Sequence, residues 1–226
     1  DTPARRQSDH LGDYAAALDR LIVDGLVYRC FKTRKEVLDE IARAPHFSPD
    51  GPEGPPYVGA PAAPEEEQAR LAAGAPFAWR LSINACRRRL GGESEHALAL
   101  RRHDFTEEGA GPKGEHGRIR ADPALFGDVI VARKDAGTSY HLAAAHDDAL
   151  QGVTHVIRGD DLFAASHLHR LLQALLGWPA PVYRHHRLVT DETGRRFAKR
   201  NRSVTLRALR EAGETAQSVR ARLGFA

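Results

Sequence analysis

A strand, a helix and a second strand follow one another near the end of the sequence, and this succession limits the fold more than any other feature. Residues 153–159 (VTHVIRG) form a nearly continuous apolar run, which is typical of a buried parallel strand. Residues 161–176 carry leucines at helical spacing, and residues 181–189 (PVYRHHRLV) predict the next strand. Strands joined through a helix run parallel, so the segment predicts a parallel sheet with helices on its faces.

Positive charge collects beyond the second of these strands. Residues 194–201 (GRRFAKRN) include four Arg or Lys, and residues 184–226 hold eleven Arg or Lys against four Asp or Glu. Residues 184–226 therefore have a net charge of +7. Since the whole chain has a net charge of +3, residues 1–183 have a net charge of −4. Arg158 and 194–201 each follow a parallel strand, so both are expected at the sheet edge where such folds bind ligands. We therefore favour a site for a strong anion, a nucleotide or an RNA backbone, over a solvated loop.

Composition excludes several classes of protein. No run approaches the roughly 18 apolar residues of a membrane span, and the first ten residues are mainly polar, unlike a signal peptide. Two cysteines in 226 residues give no disulfide framework, which is typical of a reducing compartment. We therefore expect a cytoplasmic protein without a membrane partner.

The rest of the sequence predicts shorter elements around a variable middle. Helices are predicted at 9–24, 33–44 and 64–73, and strands at 26–31, 77–83, 128–133 and 139–145. Thr33 and Glu36 have the spacing of a capping box at the start of the second helix. Residues 45–64 are rich in Pro and Gly, and residues 87–123 are charged and Gly-rich, so both are predicted to be dominated by loops. Two short helices, capped at Ser203 and Thr215, are predicted at the end of the chain.

Four blocks of the sequence, taken in order, resemble the catalytic fragment of glutamyl-tRNA synthetases. They are RQSDHLGDYAAALDRLIVDGLVYRCF (6–31), GAPFAWRL (74–81), SYHLAAAHDDALQGVTHVIRGDDL (139–162) and LLQALLGWPAPVYRHHRLVTDETGRRFAKRN (171–201). Within the family, the closer resemblance is to the short glutamyl-Q tRNA(Asp) synthetases. It implies the α/β fold of class I aminoacyl-tRNA synthetases, with a Rossmann-type parallel sheet, an inserted α/β subdomain and a short helical C-terminus.

The resemblance also implies a division of the chain. The expected parts are a first piece of the catalytic domain (1–29), an inserted acceptor-like subdomain (30–122), the second half of the catalytic domain (123–190) and a lysine loop with a basic helical tail (191–226). The family's N-terminal His-Ile-Gly-His signature and its N-terminal glutamate-binding residues are absent. We therefore expect the working protein to have more N-terminal sequence; without it, the chain would be a non-catalytic remnant that binds RNA.

The family's second ATP signature, Lys-(Met/Leu)-Ser-Lys-Ser, falls on Arg196-Phe197-Ala198-Lys199-Arg200. Lys199 matches the second lysine, whose ammonium would neutralise charge developing on the phosphates as pyrophosphate leaves. Arg196 takes the place of the first lysine and keeps the charge, whereas Ala198 lacks the serine hydroxyl. The resemblance thus implies catalytic roles for Lys199 and Arg196, with ATP and Mg²⁺ as cofactors.

Tyr140 and Arg158 fall where the family holds the side-chain carboxylate of glutamate, with a tyrosine and an arginine on adjacent strands. A guanidinium binds a carboxylate through two parallel hydrogen bonds and discriminates against the amide of glutamine. The alternatives are an ion pair of Arg158 with Asp160 or Asp161, and simple core packing of Tyr140.

The zinc site of many relatives is incomplete in this chain. That site uses a Cys-x-Cys pair, a tyrosine and a third cysteine; Cys30 and Tyr57 match, but Lys32 and Pro61 replace the other two ligands. Tetrahedral zinc needs more ligands than these two, so we expect no zinc. We suggest that the ammonium of Lys32 lies where the charge of the metal would have been.

The resemblance implies a reaction in two steps, in which glutamate and ATP form glutamyl-adenylate and the glutamyl group passes to tRNA. Only 27 residues follow Lys199, so we expect no separate anticodon-binding domain and direct binding of the anticodon arm by the basic tail. The implied acceptor is queuosine in tRNA(Asp), and the enzyme is expected to be a monomer. The alternatives are a truncated glutamyl-tRNA synthetase that charges a tRNA 3′ end, an enzyme with an acceptor other than RNA, and the RNA-binding remnant.

Overall fold

The computed structural model describes residues 4–43, 51–91, 103–190, 197 and 204–224. In these ranges the α-helices are α1 (Leu11–Val23), α2 (Arg34–Arg43), α3 (Pro64–Ala72), α4 (Ile83–Arg89), α5 (Tyr140–Leu150), α6 (Phe163–Leu176), α7 (Leu206–Glu211) and α8 (Ala216–Arg222). The strands are β1 (Val27–Cys30), β2 (Ala78–Leu81), β3 (Phe105–Glu107), β4 (Gly117–Ile119), β5 (Ile130–Ala132), β6 (His155–Gly159) and β7 (Val182–His186). Short 3₁₀ helices span Gln7–His10, Pro123–Phe126 and Asp160–Leu162.

The strands form two sheets. β1, β2 and β5 make an antiparallel sheet in the order β1-β2-β5. The second sheet has the order β4-β3-β7-β6, in which β3, β7 and β6 run parallel and β4 is an antiparallel edge strand. The parallel pairing of β6 with β7 through α6 confirms the β-α-β unit predicted from residues 153–189.

Helix α6 lies between the two parts of the core. Leu168, Leu171 and Leu172 pack into the larger apolar cluster with residues of α1, α4, α5 and the three-stranded sheet. At its N-terminus, Phe163 belongs to a second cluster with Phe105 on β3 and Tyr183 on β7. Because both sides are covered, polar residues of α6 are buried as well, and they must find partners inside the protein.

The prediction of a strand at 139–145 is wrong, because these residues form Ser139 and the first half of α5. The hydroxyl of Ser139 accepts a hydrogen bond from the backbone N–H of Leu142, 3.4 Å away, and so caps the helix. Alanine, the best helix former, fills positions 143–145, and Gly152 follows the helix end with a φ of +63°. The apolar run therefore belongs to the first half of a helix that continues to residue 150.

Three smaller predictions also differ from the structure. The strand predicted at 77–83 ends at Leu81, because Ser82 caps α4 through its hydroxyl and Ile83 is helical. The predicted loop at 87–123 contains β3 and β4, which join the parallel sheet. The last helix begins after Thr215 as predicted, whereas α7 is capped by Thr205; Ser203 lies outside the described residues.

A buried carboxylate anchors α5 to the start of the chain. Asp147 accepts hydrogen bonds from the hydroxyl of Tyr14 at 2.8 Å, from Gln7 Nε2 at 3.0 Å and from Arg5 Nε at 3.1 Å. Burial opposes ionisation, but the bonds from Tyr14 and Gln7 prevail and hold the pKa of Asp147 below its ordinary value. The position of α5, and with it that of Tyr140 at its first residue, is therefore fixed from α1 and the residues that precede it.

Within the described ranges no helix has the length and apolar character needed to cross a membrane.

Candidate functional site

Arg158 lies one residue before the end of β6, at the carboxyl edge of the parallel sheet, and pairs in register with His185 of β7. Its Nε donates to His185 Nε2 at 3.1 Å, and its Nη2 donates to the hydroxyl of Ser166 on α6 at 2.7 Å. Its Nη1 lies 3.4 Å from the hydroxyl of Tyr140. The guanidinium also lies 5.2 Å from the ring centroid of Tyr183. Three neighbouring elements therefore fix the orientation of this side chain.

The guanidinium of Arg158 keeps spare capacity for a ligand. Of its five N–H donors, these hydrogen bonds use one on each nitrogen, so each terminal nitrogen retains one N–H. Within the described part of the chain its partners are a histidine, a serine and a tyrosine, rather than Asp160 or Asp161, and no carboxylate forms an ion pair with it. A charged fork held by neutral groups is suited to an incoming carboxylate.

Tyr140 is brought to Arg158 from a different element than expected. It is the first residue of α5, not part of a strand next to β6, so the expectation of two adjacent strands is wrong for Tyr140. Its side chain is 49% exposed, and its ring packs against the rings of His141 and His169. The exposure argues against simple core packing and leaves the hydroxyl accessible at the rim of the site.

A second layer of polar residues supports Arg158, and none of them was assigned a role by sequence reasoning. Glu107 on β3 and His185 on β7 are buried, and the carboxylate of Glu107 lies 2.5 Å from His185 Nδ1. His185 and His186 point to opposite faces as expected for neighbours in a strand, since His186 is exposed. The alternation of Phe105 and Glu107, both facing inward, was the available signal, but buried glutamates are too rare to be assumed from such a pattern.

A pair of histidines lies beneath Tyr140. His141 Nδ1 is 3.2 Å from His169 Nε2, and His141 Nε2 is 2.8 Å from a carboxylate oxygen of Glu53. Burial lowers the pKa of His169 well below its ordinary value. His167, two residues earlier on α6, instead accepts from the backbone N–H of Asp122, so the two histidines of α6 have different partners.

The lysine-loop residues Lys199 and Arg196 lie outside the described residues. Phe197, the described residue of this loop, lines a cleft of about 630 Å³ beyond the end of β7, where α7 and α8 pack. The cleft is lined mainly by apolar side chains, with arginines beside them. The lining residues include Arg187, Val189, Phe197, Leu206, Leu209 and Arg222. The backbone N–H of Phe197 donates to the carbonyl of Val189 at 3.2 Å, which brings this point of the loop back to the end of the strand.

The degenerate zinc position holds an ionic cluster of side chains. Lys32 Nζ lies 3.2 Å from the hydroxyl of Tyr57 and forms an ion pair with Glu40, which raises the pKa of Lys32. Cys30 and Tyr57 are buried. The described residues contain no group of three or more His, Cys, Asp or Glu side chains arranged to hold a metal ion. An ammonium in contact with Tyr57 does not fit a zinc site, because it would repel the cation.

We therefore predict that the purified protein carries no stoichiometric zinc. Elemental analysis of protein expressed in zinc-supplemented medium should give far less than one zinc per chain, because two ligand positions are Lys32 and Pro61. About one tightly bound zinc per chain would contradict this interpretation of the cluster.

A parallel β-α-β unit with a cationic side chain at the carboxyl ends of its strands defines a Rossmann-type ligand-binding domain. A family model described as tRNA synthetases class I (E and Q), catalytic domain, matches residues 95–224. A glutamyl-Q tRNA(Asp) synthetase of Rhodobacter capsulatus is 40% identical over 100% of the chain and 76% of its own length. Another, of Symbiobacterium thermophilum, is 36% identical over 97% of the chain and 61% of its own length. The chain belongs to the class I tRNA synthetases (E and Q), and it spans only part of the length of these relatives.

Solved structures agree with the fold class predicted from the sequence. The glutamate-tRNA synthetase of Elizabethkingia anophelis superposes with a TM-score of 0.60, at 22% identity, over 87% of this chain and 37% of its own. A glutamate tRNA ligase of Elizabethkingia meningosepticum has the same TM-score and identity, over 88% of this chain. This likeness confirms the class I α/β fold.

Proposed function

We propose that the chain is the catalytic part of an enzyme that activates glutamate with ATP and transfers the glutamyl group to queuosine in the anticodon loop of tRNA(Asp). The observation that carries the proposal is the guanidinium of Arg158, which is held by neutral groups and whose hydrogen bonds to the described residues leave one N–H unused on each terminal nitrogen. The names of relatives that are similar over nearly the whole chain support the choice of acceptor.

Glutamate is recognised through its side-chain carboxylate. The two free N–H groups of Arg158 bind its oxygens, and the exposed hydroxyl of Tyr140 donates a further hydrogen bond. Glutamine presents an amide, whose NH₂ group would face the N–H donors of the guanidinium. One N–H of Arg158 would then face another donor instead of an acceptor, and the charge attraction would be lost. The site therefore discriminates against glutamine by charge and by hydrogen-bond geometry.

In the first step, an oxygen of the α-carboxylate forms a bond to the α-phosphorus of ATP, and the bond to pyrophosphate breaks. Lys199 would neutralise the charge on the departing phosphates, and Arg196 would add a second cation. Mg²⁺ would be bound by the phosphates of ATP. The protein contributes orientation and fixed charge to this step.

In the second step, a hydroxyl oxygen of the tRNA forms a bond to the carbonyl carbon of the glutamyl group. The bond from that carbon to the phosphate of AMP breaks, so AMP leaves and the hydroxyl proton passes to solvent. Exposed arginines of the C-terminal helices, Arg207, Arg210, Arg220 and Arg222, offer contacts for the phosphates of an anticodon arm. Binding that rests on such contacts weakens steeply with rising salt. We also propose that the enzyme acts as a monomer in the cytoplasm.

The position of the glutamyl group on the tRNA is the most distinctive prediction of this function. If glutamate is attached to queuosine, oxidation of the terminal ribose by periodate should leave acceptance intact, provided that the conditions spare queuosine's own diol. We expect tRNA(Asp) treated in this way to accept labelled glutamate to about the same extent as untreated tRNA. Filter binding of the labelled tRNA measures both.

tRNA(Asp) that lacks queuosine is the matched control and should accept no glutamate. The assignment fails if oxidised tRNA(Asp) accepts nothing while untreated tRNA(Glu) is charged; the chain would then be part of an ordinary glutamyl-tRNA synthetase. Tight tRNA binding without any activation of glutamate would instead favour an RNA-binding remnant.

A further inference from the structure

Glu107 is a fully buried carboxylate whose two oxygens have different partners. Its Oε1 accepts from the backbone N–H groups of His185 and Gly109, both at 2.8 Å, and so joins β3 to β7. Its Oε2 faces the ring nitrogen Nδ1 of His185 at 2.5 Å. The loop after β3 packs closely here: a Cβ on Gly109 would lie 2.0 Å from the carbonyl oxygen of His185. Oε1 therefore accepts hydrogen bonds from the backbone, and Oε2 contacts the imidazole of His185.

These contacts determine which nitrogen of His185 carries the proton. A carboxylate oxygen can only accept, so Nδ1 must donate to Glu107. The second nitrogen, Nε2, receives the Nε–H of Arg158 at 3.1 Å, and arginine is always a donor. The geometry is therefore consistent only with a neutral ring that is protonated on Nδ1. Burial lowers the pKa of His185 despite the bond to Glu107, which agrees with a neutral ring.

We propose that Glu107, through His185, is a positioning residue that holds Arg158 in the orientation needed to bind the substrate's side-chain carboxylate. The inference rests on the proposed function for the identity of that carboxylate, but the chain Glu107–His185–Arg158 is itself a property of the structure. Ser166 holds one terminal nitrogen of the guanidinium, and His185 holds Nε. With both fixed, the guanidinium plane cannot rotate, and its two free N–H groups keep a constant direction.

The substitution Glu107→Gln separates this role from a purely structural one. The amide oxygen can replace Oε1 and keep the bonds to the two backbone N–H groups. The amide NH₂ then faces His185 Nδ1 and donates to it, which forces the ring proton onto Nε2. Two donors, His185 Nε2–H and Arg158 Nε–H, would then oppose each other, so Arg158 loses this anchor while the sheet keeps its hydrogen bonds.

The direct test is ¹⁵N NMR of the histidine side chains in the full-length protein, with His185 assigned by comparison with a His185→Gln sample. We expect His185 to be protonated on Nδ1 in the wild type and on Nε2 in Glu107→Gln. The Nε–H signal of Arg158, assigned with Arg158→Gln, should exchange slowly in the wild type and rapidly in Glu107→Gln. Protonation on Nε2 in the wild type overturns the inference.

The kinetic test compares the KM for glutamate with the KM for ATP in glutamate-dependent ATP–pyrophosphate exchange. Glu107→Gln should raise the KM for glutamate by ~10- to 100-fold, the scale found when a supporting partner is lost, and change the KM for ATP by less than about twofold. Glu66→Gln, at an exposed i, i+4 pair with Arg70, is the matched control and should change neither constant. Equal effects on both substrates, or no effect on glutamate, would overturn the inference.

A rescue variant guards against a general loss of structure. The amide introduced by His185→Gln can present its oxygen to Arg158 Nε without needing a particular ring tautomer. In the double variant with Glu107→Gln, the KM for glutamate should return to within about fivefold of the wild type, because the two changes are coupled. A double variant as impaired as Glu107→Gln would sink the proposal. If the wild type does not activate glutamate at all, the proposed function fails, and the NMR experiment still decides the role of Glu107.

Discussion

Replacing Arg158 with glutamine should lower kcat/KM for glutamate in ATP–pyrophosphate exchange by ~10²- to 10³-fold, since the substrate carboxylate loses a charged, two-point hydrogen-bonding partner. The same change leaves His185 Nε2 and the hydroxyl of Ser166 without their donor. Activity with glutamine should not rise appreciably, because Tyr140 and the second layer remain arranged for an arginine and a carboxylate.

Arg184→Gln is the matched control for this experiment. Arg184 lies on β7, next to His185 and on the opposite, exposed face of the sheet, so its loss should leave the kinetics of glutamate activation within about twofold of the wild type. Thermal unfolding of both variants reports on folding. Unchanged glutamate kinetics in a folded Arg158→Gln protein would show that Arg158 has a structural role and does not bind glutamate.

Replacing Lys199 with alanine should reduce pyrophosphate exchange by at least about two orders of magnitude, which is the scale of losing one preorganised charge at a transition state. The loss should fall mainly on kcat, because the charge of the phosphates develops as pyrophosphate leaves. The melting temperature should change little, since a charged loop side chain contributes little to the core. Arg196→Ala should have a smaller effect, because the arginine already departs from the lysine of the family's motif.

Lys35→Ala serves as the control for the loss of a lysine. Lys35 is exposed in the first turn of α2, far along the chain from the basic tail, and its removal should leave exchange unchanged. An active Lys199→Ala enzyme, with kcat close to that of the wild type, would mean that residues 194–201 form only a solvated turn.

The parallel unit could be predicted from the sequence because its signals are local and agree with one another. An apolar strand, a leucine-rich helix ended by Gly177 and a second strand leave little freedom in the topology. The short strands β3 and β4 could not be predicted, because three residues carry too little pattern and their stability comes from pairing with β7. The run that begins α5 was ambiguous for a different reason: short apolar segments fit either period.

Some residues of the candidate site could likewise be predicted from the sequence, and others could not. Arg158 and Tyr140 were found by resemblance, and the structure brings them together even though Tyr140 lies on a helix. Glu107, His185 and Ser166 were not found, because their roles depend on the register between β3 and β7 and on the depth of α6 in the core. A buried glutamate in a three-residue strand has no distinctive sequence signal. Tertiary packing alone shows that it faces an imidazole.

The decisive measurement is glutamate-dependent ATP–pyrophosphate exchange by the full-length protein, run in parallel with glutamine and aspartate. We expect clear exchange with glutamate, at least about a hundredfold weaker exchange with glutamine, and loss of the glutamate activity in Arg158→Gln. Exchange that is absent with glutamate, or equal for glutamate and glutamine, would contradict a site built around the guanidinium of Arg158.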